Sequence, residues 1–171
     1  MKISTLRTIL HALNNNNVRY IIVGGVAVNI HGYQRMTQDI DLVVQLIPEN
    51  ILTALSVLEE LGYKPNIPVS KEEFADIEIR ENWKKTKHME VLSLISKLHP
   101  DTTIDIFISE PFDFDFEYNH SNNIQLDRGL NVRVISIPVL IEMKKKANRD
   151  RDRDDIQHLS WILAKMESDD E

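Results

Sequence analysis

The amino-acid sequence predicts an α/β fold in which helices cover a mixed, twisted β-sheet. Short β-branched or alternating runs, such as residues 20–23 and 39–44, are typical of strands. Longer segments between them repeat apolar residues with a helical period, for example residues 4–13 and 51–61. The 171 residues, 42% of them hydrophobic, suffice for one ordinary core, so a single domain over residues 1–171 is expected.

The first helix, strand and turn lead to a candidate anion site. A helix over residues 4–13, capped by Ser4, ends at an asparagine run. The strand 20–23 stops at Gly24 and Gly25, where the missing Cβ atoms let the backbone approach a ligand closely. A second helix follows directly, and the free N–H groups of its first turn would attract an anion such as phosphate.

Two aspartates follow on the next predicted strand. A strand period of two puts Asp39 and Asp41 on one face, while Ile40 points to the other. Adjacent carboxylates repel each other and suit Mg²⁺ held jointly with substrate phosphates. For such a pair alone, a solvated strand edge is the alternative. A strand, a glycine pair, a helix and two aspartates in this order favour metal-assisted phosphoryl or nucleotidyl transfer.

The stretch GGVAVNIHGYQRMTQDIDLVV resembles the GG…DxD signature of the DNA polymerase β type nucleotidyltransferase superfamily, and more narrowly the abortive-infection type nucleotidyltransferase toxins. The resemblance implies a nucleotidyltransferase-like fold and a third carboxylate on a later strand, for which Asp105 is the candidate. Asp39, Asp41 and Asp105 would then be the catalytic residues and the ligands of Mg²⁺, with Mn²⁺ as the alternative ion. The structural alternative for Asp105 is a surface acid on a half-exposed strand.

The resemblance also implies a site for the phosphates of an NTP. Gly24, Gly25 and Thr37 would lie along these phosphates. Many members of the superfamily have serine after the first glycine, whereas Gly25 offers only backbone donors. The grip on phosphate would therefore rest on N–H groups and on cations.

The middle of the chain is predicted to add helices and strands to the same sheet. Pro48 opens a helix that ends before Gly62, and the spacing of Ser70 and Glu73 predicts a capping box on a helix over residues 71–79. Residues 82–87 form a polar and basic segment, and the alternation of aromatic and acidic residues over 112–118 favours a loop or a short helical turn. The predicted strands form two hairpins, which pair residues 88–95 with 102–108 and residues 124–126 with 132–135.

The C-terminal part is predicted to hold two helices and a cluster of cations. Ser136 caps a helix that ends in a lysine run, and the last helix begins at about residue 155 and frays over residues 168–171. Cations at a helix C-terminus stabilise it by up to about 1 kcal/mol each, so a structural role is one interpretation. The resemblance implies a different role, in which three cations bind nucleotide beside two acids, namely Lys144, Arg149 and Arg151 with Asp152 and Asp155. At the position of Arg151 the toxins usually have lysine.

Composition and charge bear on partners and location. The chain has 20 basic and 27 acidic residues, and the net charge of −7 argues against broad attraction to nucleic acid. It contains no cysteine and no apolar run long enough to span a bilayer. We therefore expect a cytoplasmic protein that does not enter the membrane.

Three hypotheses for the acceptor stay open. The resemblance favours RNA, for example a tRNA end, as the acceptor of a toxin that uses an NTP and has an antitoxin protein as partner. An acidic protein would also suit a cationic drug, so a small molecule of the aminoglycoside or lincosamide type is the alternative. A non-catalytic nucleotide-binding module is the third hypothesis.

Overall fold

The computed structural model describes residues 1–169 and confirms an α/β fold with a mixed sheet. The strands are β1 Tyr20–Val23, β2 Asp39–Val44, β3 Tyr63–Pro65, β4 Val91–Ser96, β5 Thr103–Phe107, β6 Asn122–Asp127 and β7 Leu130–Val134. The helices are α1 Ile3–Asn15, α2 Gly24–Ile30, α3 Pro48–Glu60, α4 Lys71–Ala75, α5 Ile77–Lys87, α6 Phe114–His120, α7 Ile137–Ala147 and α8 Asp150–Asp169.

The seven strands form one sheet in the order β3-β4-β5-β2-β1-β7-β6. Strand β2 lies at its centre, antiparallel to β1 and parallel to β5. The two predicted hairpins are present as the antiparallel pairs β4–β5 and β6–β7. The strand register places Asp41 of β2 between Val23 at the end of β1 and Asp105 in the middle of β5.

The two faces of the central strands differ in polarity. On one face Ile40, Leu42 and their neighbours in β4 and β5 are fully buried, and helix α3 packs against β2 and β3. On the other face Asp39, Asp41 and Asp105 are half-buried. Because side chains alternate along a strand, burying the apolar set leaves the aspartates on the opposite face.

The predicted helix over residues 71–79 is two helices. The capping box of Ser70 and Glu73 is present, but α4 ends at Ala75. Asp76 has extended backbone angles, and its side chain accepts hydrogen bonds from the first N–H groups of α5, so it ends one helix and caps the next. The basic segment 82–87 therefore belongs to a helix.

One other predicted boundary is wrong. Helix α8 begins at Asp150 rather than near residue 155, because Asp152 turns back to accept the Arg149 N–H at 3.0 Å and so satisfies a donor at the start of the helix. The aromatic segment contains helix α6, capped by Asp113. Of the tail predicted to fray, residues 168 and 169 belong to α8, and residues 170 and 171 lie outside the described part. No helix within residues 1–169 is long and apolar enough to cross a membrane.

Candidate active site

The structure places the three predicted aspartates on one face of two neighbouring strands. Asp41 pairs directly with Asp105 across the parallel β2–β5 ladder, and Asp39 pairs with Thr103. The apolar residues between them point to the buried face, so the alternation in DIDLVV and TTIDIFI fixes this arrangement. The catalytic role of the three aspartates stays a prediction.

The glycine pair is packed against side chains of the chain itself. Gly24 has a φ of +63°, and a Cβ atom there would collide with the Asp41 carboxylate and lie 2.8 Å from the Asp41 Cβ. A Cβ atom on Gly25 would lie 2.7 Å from the Thr37 hydroxyl oxygen and 3.1 Å from the Arg35 Nη2 atom. The absence of these two side chains leaves room for Asp41, Thr37 and Arg35 beside the glycine pair.

Burial and mutual repulsion perturb the carboxylates. Burial raises the pKa of Asp41 to about 6, with further contributions from the charges of Asp105 and Asp39. The Gly25 N–H, which donates to the Asp41 Oδ2 at 3.4 Å, and the Lys144 charge oppose that rise. Burial also raises the pKa of Asp105. Groups perturbed in this way concentrate at functional sites.

These carboxylates suit a divalent cation that is shared with a substrate. Within residues 1–169, no group of three or more His, Asp or Glu side chains is placed to enclose a metal ion. Yet the Asp105 Oδ1 is buried without a hydrogen-bond partner in this part of the chain, and Asp41 lies among like charges. Mg²⁺ is commonly held by one or two carboxylates together with substrate phosphates. The donor set fits such an ion.

Lys144 is buried in an ion-pair cluster. Its Nζ atom lies 2.6 Å from the Asp155 Oδ2 and 3.4 Å from the Asp152 Oδ1. Its charge also opposes the rise in the pKa of Asp41. Lys144 is therefore not a solvated helix end, although its role in binding nucleotide stays a prediction.

Arg149 and Arg151 differ in their surroundings. Both side chains are exposed. The charge of Arg149 opposes the rise in the pKa of Asp105. No ion pair or hydrogen bond of the Arg151 side chain is present within residues 1–169, and its role at the site stays a prediction.

Arg35 is the residue at this site that the sequence analysis missed. Its Nε and Nη2 atoms donate to the two carboxylate oxygens of Asp155 at 2.7 and 2.8 Å. A signal was available, because Arg35 is the only Lys or Arg between the glycine pair and Asp39. Its partner, however, lies 120 positions away in the chain, so no local pattern reveals the pair.

The sheet topology and the half-buried aspartates beside a glycine-started helix define a nucleotidyltransferase fold. The chain matches the family described as "Nucleotidyl transferase of unknown function (DUF2204)" over residues 2–169, and it belongs to that family. Membership favours an enzyme over a non-catalytic module. No curated protein sequence matches the chain significantly.

Solved structures of nucleotidyltransferases share the fold at low sequence identity. The lincosamide antibiotic adenylyltransferase LnuA, bound to lincomycin, aligns over 95% of this chain and 98% of its own, with 16% identity and a TM-score of 0.64. ANT(2'')-Ia in complex with adenylyl-2''-tobramycin aligns over 99% and 98%, with 14% identity and a TM-score of 0.56. An antigenic nucleotidyltransferase-like protein from Paracoccidioides brasiliensis aligns over 94% and 74%, with 17% identity and a TM-score of 0.53.

Proposed function

We propose that the protein transfers a nucleoside monophosphate from an NTP to an acceptor hydroxyl. The main support is the direct pairing of Asp41 with Asp105 beside the glycine pair, with the pKa of both carboxyls raised by burial. One nucleotidyltransferase-like domain over residues 1–171, working in the cytoplasm, is part of this proposal. Mg²⁺, or alternatively Mn²⁺, is the proposed cofactor.

The three aspartates have distinct proposed roles. Asp39 and Asp41 would hold the ion, and Asp105 would complete a second metal site. Such an ion would neutralise charge that develops on the transferred phosphate. Asp105 would also accept the proton of the acceptor hydroxyl as its oxygen bonds to the α-phosphorus and the bond to pyrophosphate breaks. The buried Asp105 Oδ1 has no hydrogen-bond partner within residues 1–169, which leaves it able to accept that proton.

The remaining predicted residues would bind the nucleotide. Gly24, Gly25 and Thr37 would lie along the phosphates, since the Thr37 hydroxyl already adjoins the glycine turn. Lys144 would neutralise the departing pyrophosphate by giving up part of its contact with the buried acids. The charge of Arg149 opposes the rise in the pKa of Asp105, so Arg149 is the better supported of the two exposed arginines. Arg151 would serve only as a rim contact.

Two acceptors are proposed. The toxin resemblance supports RNA, for example a tRNA end, with an antitoxin protein as partner. The second candidate is a small molecule. Two observations favour it, namely the shared fold with the antibiotic adenylyltransferase LnuA and the net charge of −7, which suits a cationic drug.

One assay separates these acceptors. The purified protein is incubated with each α-³²P-labelled NTP and Mg²⁺ or Mn²⁺, with total RNA in one arm and with aminoglycosides or lincosamides in the other. Label that enters RNA supports the first acceptor, and label that enters a drug supports the second. Asp41→Asn is the negative control. Equal labelling by this variant and the wild type, or no labelling in any arm, would overturn the proposal.

A further inference from the structure

The guanidinium of Arg35 packs beside Gly25, although no sequence motif assigned Arg35 to the site. The Arg35 Nη2 atom lies 3.1 Å from the position that a Cβ atom on Gly25 would occupy. We infer that Arg35 binds the phosphates of the NTP and that Asp155 orients it for this contact. The inference rests on the proposed nucleotidyl transfer and adds a phosphate-binding residue to it.

The hydrogen bonds of Arg35 leave donors free for a ligand. A guanidinium has five N–H groups in a rigid fork. Asp155 accepts one from Nε and one from Nη2, and the carbonyl oxygen of Met36 accepts one from Nη1 at 3.1 Å. One N–H therefore remains on each terminal nitrogen. The Arg35 side chain is 18% exposed, and its Nη2 atom adjoins the glycine pair.

The backbone around Arg35 is fixed as firmly as its side chain. The Arg35 N–H donates to the Asn29 Oδ1 at 2.9 Å, and the Asn29 Nδ2 donates to the Arg35 carbonyl oxygen at 2.9 Å. Asn29 lies on α2, the helix that begins at the glycine pair. The Arg35 backbone is thus held by α2 and its guanidinium by Asp155 of α8, an arrangement that reduces the entropy lost on binding a ligand.

Asp155 serves the site by orienting cations. It is fully buried, and it accepts hydrogen bonds from both Arg35 and Lys144. Planar, bidentate pairing with a carboxylate fixes a guanidinium in one plane, and the outward N–H groups of that plane match the oxygens of a phosphate. Asp155 is therefore a positioning residue, whereas Arg35 is the residue that touches the substrate.

A purely structural role would have a different consequence. If Arg35 only fastened the segment before β2 to α8, its removal would lower stability and weaken every nucleotide ligand alike. A phosphate contact predicts a loss that grows with the number of phosphates. Calorimetric titration of the full-length protein with NTP and with NMP, both with Mg²⁺, distinguishes the two.

Arg35→Ala is expected to weaken NTP binding by about 10- to 100-fold, the usual effect of losing a hydrogen bond to a charged group. Binding of NMP should change much less. Arg7→Ala is the matched control, since Arg7 also pairs with an aspartate, Asp127, at 3.3 Å on the surface. Arg35→Lys keeps the charge but not the fork, so its NTP affinity should fall between those of the wild type and Arg35→Ala.

Each outcome decides the inference. NTP affinity in Arg35→Ala equal to that in Arg7→Ala would overturn it, as would equal losses for NTP and NMP. If circular dichroism shows that Arg35→Ala does not fold, Arg35→Lys decides, and wild-type NTP affinity there would overturn the inference. A wild-type protein that binds no NTP would instead overturn the proposed function, and the inference with it.

Discussion

Asp155→Asn should destabilise the protein strongly. Its carboxylate is fully buried between Lys144 at 2.6 Å and Arg35 at 2.7 Å. Removing one member of a buried ion pair costs about 3–5 kcal/mol, because the partner charge is left uncompensated. We expect about 3 kcal/mol, the lower end of this range, because Asp152 still accepts from Lys144 at 3.4 Å and Arg35 is partly exposed.

The measurement is the free energy of unfolding from urea titration at neutral pH. Asp127→Asn is the control, because its pair with Arg7 is solvent-exposed and such pairs contribute at most about 1 kcal/mol. A loss in Asp155→Asn no larger than that in the control would refute the reasoning. It would mean that the charges of the buried cluster contribute no more to the free energy of unfolding than those of a surface pair.

The pH dependence of the stability lost in Asp155→Asn also tests the cluster of Asp155, Lys144 and Arg35. Burial by itself raises the pKa of Asp155, but Arg35 and Lys144 outweigh it and hold the pKa below its ordinary value. A carboxyl of this kind stabilises the fold above its unfolded pKa of about 3.9, and the contribution is lost as pH falls through the folded pKa. The difference in the free energy of unfolding between wild type and Asp155→Asn should therefore be largest at about pH 7 and shrink below about pH 4. An unchanged gap at low pH would show that packing, not charge, is responsible.

Two substitutions test the glycine pair. Gly24→Ala forces a side chain into a left-handed conformation, at about 1–2 kcal/mol, and drives its Cβ into the Asp41 carboxylate. It should lower the thermal midpoint and abolish transfer, and normal activity would show that Asp41 need not adjoin the turn. Gly25→Val should weaken NTP binding by displacing Thr37 and Arg35. Unchanged affinity in calorimetry would place the phosphates elsewhere.

The parts of the fold that were predicted correctly depend on local patterns. The alternation in DIDLVV and TTIDIFI fixes both strands and the face of each aspartate, because a period of two allows no other arrangement when one face is buried. The capping box of Ser70 and Glu73 is local in the same way, and it is present. The end of that helix was missed because Asp76 suits either a helix interior or a new cap, and tertiary packing decides between them.

The parts that were missed depend on contacts between distant segments. Buried Arg80 donates to the carbonyl oxygens of Phe74 and Ile108, which ties α5 to the core although its sequence is mainly polar. Arg35 and Asp155 lie 120 positions apart, and neither has a distinctive local pattern. The resemblance pointed to Lys144 and Asp155, but only the three-dimensional structure shows that they share a buried cluster with Arg35.

The most direct test of the central claim is transfer of labelled nucleotide by wild type, Asp39→Asn and Asp41→Asn at matched concentrations. We expect metal-dependent labelling of an acceptor by the wild type only. Both variants should keep the circular dichroism spectrum and the thermal midpoint of the wild type, since the two carboxylates lie on the half-exposed face and not in the apolar core. Labelling that persists in both folded variants would contradict the assignment of these aspartates to the chemistry.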